Sequence, residues 1–99
     1  MLTNRVLSSA EAVQWGILNQ AVAADDLDDV VAKLAATIAS GPTLSFGKVK
    51  ALLNQSFDNG LETQMELESR AISDASRTLD GKEGMNAFVE KRQPTFTGK

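Results

Sequence analysis

The sequence predicts an all-α protein of about five helices with one short extended run. Apolar residues recur at i, i+3, i+4 and i+7 in several stretches, the period of a helix with one buried face. Gly41-Pro42 and Asp58-Asn59-Gly60 separate these stretches, and both are strong chain breakers. Only Ile17–Val22 has the apolar character of a short strand. The 99 residues suffice for one small domain.

Residues 1–24 are predicted to form a connector, a short helix and the extended run. Ser8 or Ser9 can cap a helix over residues 10–15, with Glu11 in its first turn. Gly16 suits the position just after the helix end. A single strand is not stable alone, so we expect the run at residues 17–22 to be unpaired or paired between chains.

Residues 25–99 are predicted to form four helices. The first begins at Asp25-Asp26, with Asp28 and Asp29 in its first turn. Four clustered aspartates could hold a cation, but this segment lacks the glycine and the final glutamate of an EF-hand loop. The acids therefore favour capping and a solvated face. The apolar stripe of this helix comprises Leu27, Val30, Val31, Leu34, Ala35 and Ile38.

The second of these helices spans residues 43–57, with Phe46, Val49, Leu53 and Phe57 on one face. Lys48 and Lys50 lie off that face, where they either meet a phosphate or, as most surface lysines do, remain solvated.

The third helix spans residues 61–78, and its apolar stripe is interrupted by Glu68. A buried carboxylate has a raised pKa unless it is paired. Glu68 is thus a general base, the ion-pair partner of an arginine such as Arg92, or a partly exposed side chain at the rim. Glu66 and Arg70 form an i, i+4 pair.

The last helix is predicted to be capped by Asp80, with Glu83 reaching back as in a capping box. Lys91 and Arg92 fall in its last turn, and Pro94 prevents its continuation. Gly84 lies inside this helix, where glycine costs roughly 1 kcal/mol relative to alanine. We therefore expect a close approach of another backbone segment or of a ligand there.

The composition excludes several kinds of chemistry. The chain has no histidine, cysteine or tyrosine, so it holds no Ser-His-Asp triad, no thiol nucleophile, no disulfide and no His/Cys zinc site. Its net charge of −3 argues against nucleic-acid binding. No apolar run is long enough for a membrane span. The first residues lack the core of a signal peptide, and we expect a cytoplasmic protein.

Motifs spread along the whole chain resemble the enoyl-CoA hydratase/isomerase (crotonase) family, at its C-terminal end. They include Ser9-Ala10-Glu11-Ala12, Trp15-Gly16-Ile17-Leu18-Asn19, Glu83-Gly84, Ala87-Phe88, Glu90-Lys91-Arg92 and Pro94-x-Phe96. Within the family, Leu61-Glu62-Thr63-Gln64 and residues 91–99 look like the phenylacetate-catabolic branch, which isomerises a ring-epoxide.

The resemblance implies a helical C-terminal segment that covers the active site, supports a dimer or trimer and helps to bind the CoA of an acyl-CoA substrate. It implies that Lys91 meets the CoA and that Ile72 lies beside its adenine. The family's oxyanion hole and catalytic carboxylates lie upstream of the matched region, so no catalytic residue, cofactor or metal ligand is assigned.

Two other functions fit the helical pattern. One is a stand-alone helical module for protein–protein interaction, which nothing in the apolar stripes forbids. The other is an acidic carrier protein, which needs an Asp-Ser-Leu opening a helix. Ser73-Asp74-Ala75-Ser76 has the wrong order and lies within a helix, which disfavours the carrier.

Overall fold

The structure is a computed structural model that describes residues 4–99. These residues contain five α-helices and no strand, which confirms the all-α prediction. The helices are α1 (Ser9–Gln14), α2 (Leu27–Ala39), α3 (Thr43–Gln55), α4 (Leu61–Arg77) and α5 (Leu79–Glu90), with one 3₁₀ turn at Ala24–Asp26. The chain divides into two compact units, Met1–Lys33 and Leu34–Lys99.

In the first unit, α1 has a complete capping box. The Ser8 hydroxyl accepts from the Glu11 backbone N–H, and the Glu11 carboxylate accepts from the Ser8 N–H. Arg5 donates to Glu11 at 2.8 Å and lies over the Trp15 ring, 5.3 Å from its centroid. Because Arg5 and Ser8 donate to it, the pKa of Glu11 is lowered.

Residues 17–22 do not form the possible strand. The backbone N–H groups of Ile17 and Leu18 both donate to the Ala12 carbonyl, at 2.8 and 3.2 Å. The segment therefore completes the end of α1, and its first donors are used locally rather than in a ladder.

In the second unit, α3 packs against α4 and α4 packs against α5. At the α4–α5 corner, a Cβ on Gly81 would collide with the Ala75 carbonyl, so glycine lets the two backbones cross closely. Ion pairs join Lys48 to Asp74 at 2.9 Å and Arg70 to Glu66 at 2.7 Å. The second of these is the i, i+4 pair that the sequence predicts.

Some boundaries differ from the predictions. Helix α3 ends at Gln55 instead of residue 57, and α2 begins at Leu27, after the 3₁₀ turn. Helix α5 begins at Leu79 with Thr78 as its N-cap, so Asp80 lies inside the first turn rather than capping it. Lys91 and Arg92 lie beyond the end of α5, because Glu90 is its last helical residue.

Few apolar side chains are covered by this chain. Among the described residues, only Ala12 and Ala87 are buried hydrophobic residues. The predicted apolar stripes are present on the helices, but Leu53, Met65 and Ile72 are exposed by 60% or more. The helices are thus amphipathic without having a packed core on their apolar faces.

Candidate functional site

The C-terminal tail is fastened to α5 by a buried carboxylate. Asp80 is 2% exposed, and its carboxylate accepts from the backbone N–H groups of Thr97 and Gly98 at 2.7 and 2.8 Å. The Thr97 hydroxyl lies 3.3 Å from the same carboxylate, and the Asp80 N–H donates to the Lys99 carbonyl at 2.9 Å. Asp80 therefore acts as an anchor for the tail, which explains why it is not available as an N-cap.

A second carboxylate, one turn further along α5, holds the start of the tail. Glu83 accepts from both terminal nitrogens of Arg92, at 2.6 and 2.9 Å, and from the Thr95 N–H at 2.8 Å. These donors, the Arg92 guanidinium first, lower the pKa of Glu83 to about 2. Glu83 therefore has no capping-box role. We call residues 92–99, held by Asp80 and Glu83, the tail strap.

The strap also lies beside the glycine inside α5. A Cβ on Gly84 would lie 3.6 Å from the Phe96 ring, at ordinary van der Waals distance, so alanine would fit there as well. Within the described residues, the neighbour of Gly84 is thus an aromatic side chain and not the close backbone that the sequence suggested. A ligand approach to Gly84 stays a prediction.

Lys91, the first predicted CoA contact, lies at the turn between α5 and the strap. Its backbone is left-handed, with φ 54° and ψ 39°. The Arg92 N–H donates to the Ala87 carbonyl at 3.0 Å and the Lys91 N–H to Phe88 at 3.3 Å, the bonding of a Schellman motif. Glycine usually occupies this position, because a left-handed side-chain residue costs roughly 1–2 kcal/mol.

Ile72, the second predicted CoA contact, lies in a different place. It lines an apolar groove of about 290 Å³ between α3 and α4, with Val49, Leu52, Leu53, Ser56, Gln64 and Glu68. Ile72 is 71% exposed. The groove belongs to α3 and α4, whereas Lys91 follows α5.

Glu68 takes the least reactive of its predicted roles, whereas Lys48 takes neither of its two. The pairing of Glu68 with Arg92 is wrong, because Arg92 is bound by Glu83 and by Glu90, the latter at 2.6 Å. Glu68 is exposed and accepts from the Gln64 side chain at 2.9 Å. Lys48 binds Asp74 and lowers the pKa of that carboxylate, so its charge is already matched within the chain.

Sequence reasoning found the right residue types around α5 but missed the strap. The signal that could have found it is the Thr-Phe-Thr-Gly sequence at residues 95–98, whose backbone N–H groups follow the break at Pro94 and need acceptors outside a helix. Within residues 4–99, no three acidic side chains cluster as a metal site would need, and no helix is long and apolar enough to cross a bilayer.

The comparisons with known proteins cover the whole chain. Residues 1–99 match the family model described as enoyl-CoA hydratase/isomerase. The chain is 39% identical to the 1,2-epoxyphenylacetyl-CoA isomerase of Escherichia coli over 98 residues, which are 99% of this chain and 37% of that protein. It is 33% identical to the crotonyl-CoA hydratase of Syntrophomonas wolfei over 99 residues, which are 38% of that protein.

Solved structures agree with the fold. An enoyl-CoA hydratase structure from Geobacillus kaustophilus matches 98% of this chain and 38% of that one, with a TM-score of 0.92 and 35% identity. The enoyl-CoA hydratase of Bacillus anthracis matches 99% of this chain and 38% of its own, with a TM-score of 0.87 and 28% identity. The chain thus spans little more than a third of the length of the relatives it matches.

Proposed function

The chain belongs to the enoyl-CoA hydratase/isomerase family, and we propose that it serves as the C-terminal segment of an acyl-CoA hydratase or isomerase. In this role it covers the active site, supports oligomer formation and helps to bind CoA. The observation that carries the proposal is the uncovered apolar face of α2, α3 and α4.

Large apolar side chains of the second unit stay exposed on two helices that pack against each other. On α3, Leu53 is 61% exposed, and on α4, Met65 and Ile72 are 60% and 71% exposed. Contiguous apolar patches beyond a few hundred Å² rarely stay exposed on soluble monomers. These exposed side chains support a segment whose apolar faces pack against other protein.

The self-association that this predicts can be measured on the chain itself. We expect sedimentation equilibrium at high micromolar concentration to give a dimer or trimer, because a closed symmetric interface is the simplest cover for the exposed faces. Leu53→Ser should weaken the association, whereas Asn54→Ser, its neighbour in sequence, should not. A strict monomer, or equal effects of both changes, would contradict the proposed interface.

The proposed CoA contact is carried by Lys91. Among residues 4–99, the structure gives the Lys91 ammonium no ion-pair partner, whereas Lys48 and Arg70 each have one and Arg92 has two. An unpaired ammonium at a helix end can bind a phosphate with a charge-assisted hydrogen bond. Ile72, on the apolar groove between α3 and α4, contributes an apolar surface for the adenine.

Nuclear magnetic resonance can test this contact. Coenzyme A should shift the Lys91 signals, and Lys91→Ala should weaken binding roughly tenfold, the value of one charge-assisted contact of about 1–2 kcal/mol. Acyl-pantetheine, which lacks the nucleotide, should bind the unmodified chain and Lys91→Ala with equal affinity. If Lys91→Ala weakens both ligands alike, or neither, the CoA assignment of Lys91 is wrong.

The likeness to the E. coli ring-epoxide isomerase makes the phenylacetate-catabolic branch our proposed reaction class, and the cytoplasm our proposed location. Because the chain carries no oxyanion hole of the family and no catalytic carboxylate at a matched position, the 99-residue chain should not turn over crotonyl-CoA. Loss of each oxyanion donor alone costs roughly 10²–10³ in rate. Turnover above that of a mock purification would refute this.

A further inference from the structure

The chain ends two of its helices with the same backbone motif but with different residues. At the end of α1, the Ile17 N–H donates to Ala12 and the Gly16 N–H to Val13, at 2.8 and 3.0 Å. At the end of α5, Arg92 and Lys91 make the equivalent bonds. The left-handed residue is glycine in the first case, with φ 71°, and lysine in the second, with φ 54°.

At the end of α5, the residue directly after the left-handed Lys91 is also held by side-chain contacts. Arg92 is held from two sides: its terminal nitrogens donate to Glu83, and its Nε donates to Glu90 at 2.6 Å. Glu83 lies on the second turn of α5 and Glu90 is its last residue. The guanidinium therefore folds back along the helix, directly after the left-handed turn at Lys91.

The lysine has a conformation that its own side chain disfavours. A left-handed lysine is roughly tenfold less populated than a right-handed or extended one, so neighbouring contacts must impose it. Glu83 and Glu90 supply these contacts through Arg92. Among residues 4–99, the structure shows no contact of the Lys91 ammonium that would do so.

We infer that Glu83 and Arg92 are positioning residues that hold Lys91 in the left-handed conformation and so direct its ammonium away from the end of α5 toward a phosphate. This inference rests on the proposed CoA contact of Lys91. Glu83 and Arg92 act on Lys91 through the backbone, and neither needs to touch the ligand.

The test uses Glu83→Gln and Arg92→Lys in the full chain, with Glu66→Gln as the matched control. Glu66 also pairs with an arginine, but on α4 and away from the strap. The Lys91 Cα chemical shift and its N–H to Hα coupling report the left-handed backbone directly. Both should change toward unconstrained values in Glu83→Gln and Arg92→Lys and remain those of the unmodified chain in Glu66→Gln.

Binding of coenzyme A is the second readout. With Arg92 released and the Asp80 anchor still in place, Lys91 should occupy the competent conformation less often, at the limit about one-tenth of the time, which weakens apparent affinity by up to about tenfold. Lys91→Gly keeps the conformation and removes the ammonium, so it should weaken binding without moving the Arg92 signals.

The outcomes separate the two claims. If coenzyme A does not bind the unmodified chain but the Lys91 signals respond as expected, the positioning holds and the CoA contact fails. If the Lys91 signals are unchanged in both strap variants, the positioning is wrong, whatever the affinity. Should Glu83→Gln lose its helical circular dichroism, Arg92→Lys, which keeps the charge, decides the matter alone.

Discussion

The ends of α1 and α5 share one geometry and reach it by different physical means. At α1, Gly16 adopts the left-handed conformation without strain, and a Cβ there would meet no atom within 4 Å. At α5, Lys91 adopts it because the strap beyond it is tied down at Arg92, Thr95, Thr97 and Gly98. The left-handed conformation at the end of α1 is allowed by the glycine itself, whereas at the end of α5 it is imposed by the surrounding contacts.

This contrast shows where each helix end is vulnerable. An end that depends on a glycine fails when the glycine is replaced. A helix end that depends on contacts is destabilised when those contacts are removed. A glycine at its left-handed position is tolerated or even stabilising, because glycine adopts that conformation without strain. Four changes test this contrast, and their expected effects on stability decrease from the first to the last.

Asp80→Ala should have the largest effect, because it removes the strap's buried anchor. It leaves the N–H groups of Thr97 and Gly98 without their acceptor, and an unsatisfied donor costs about 1–3 kcal/mol. We expect the free energy of unfolding in urea to fall by about 2–3 kcal/mol. The exposed Asp58→Ala should change it by less than about 0.5 kcal/mol. Equal losses would mean that the strap is not anchored there.

Gly16→Ala should destabilise the first end by about 1–2 kcal/mol, the cost of a left-handed side-chain residue. Because space around Gly16 is open, the loss is conformational rather than steric. Urea unfolding followed by circular dichroism measures it. No loss would show that the α1 turn is not required in this conformation.

Lys91→Gly should stabilise the end of α5. It relieves the left-handed strain but adds freedom to the unfolded chain, so a net gain of about 0.5–1 kcal/mol in the free energy of unfolding is expected. The same variant should lose affinity for coenzyme A. A destabilised Lys91→Gly would mean that the lysine stem contributes packing that outweighs its strain.

The stabilisation that Glu83 gives to the tail strap should depend on pH only in the acid range. The pKa of Glu83 is lowered from its usual 4.5 to about 2 by Arg92 and the Thr95 N–H. A lowered folded pKa means that the stabilisation is present above about 4.5 and is lost as the pH falls toward about 2. Acid titration of the chain should show this loss. Glu83→Gln should remove it, whereas a loss that persists in Glu83→Gln would place its origin elsewhere.

The helices could be predicted from the sequence, because apolar spacing and chain breakers are local signals. The stripes, the Gly41-Pro42 break, the serine cap of α1 and the Gly16 turn each depend on residues within a few positions of one another. The choice of Lys91 and Ile72 as ligand contacts came from family resemblance and remains a proposal.

The partners of the charged side chains around α5 became known only from the folded chain. Asp80 and Glu83 fit a capping box by their spacing, yet Thr78 caps α5 and both carboxylates hold a strap that lies up to 18 residues away. The charges alone do not decide whether Arg92 pairs with Glu68 or with Glu83. A carboxylate binds the donors that the folded chain brings close to it. The spatial distance between a carboxylate and a donor many residues away cannot be read from a local sequence pattern.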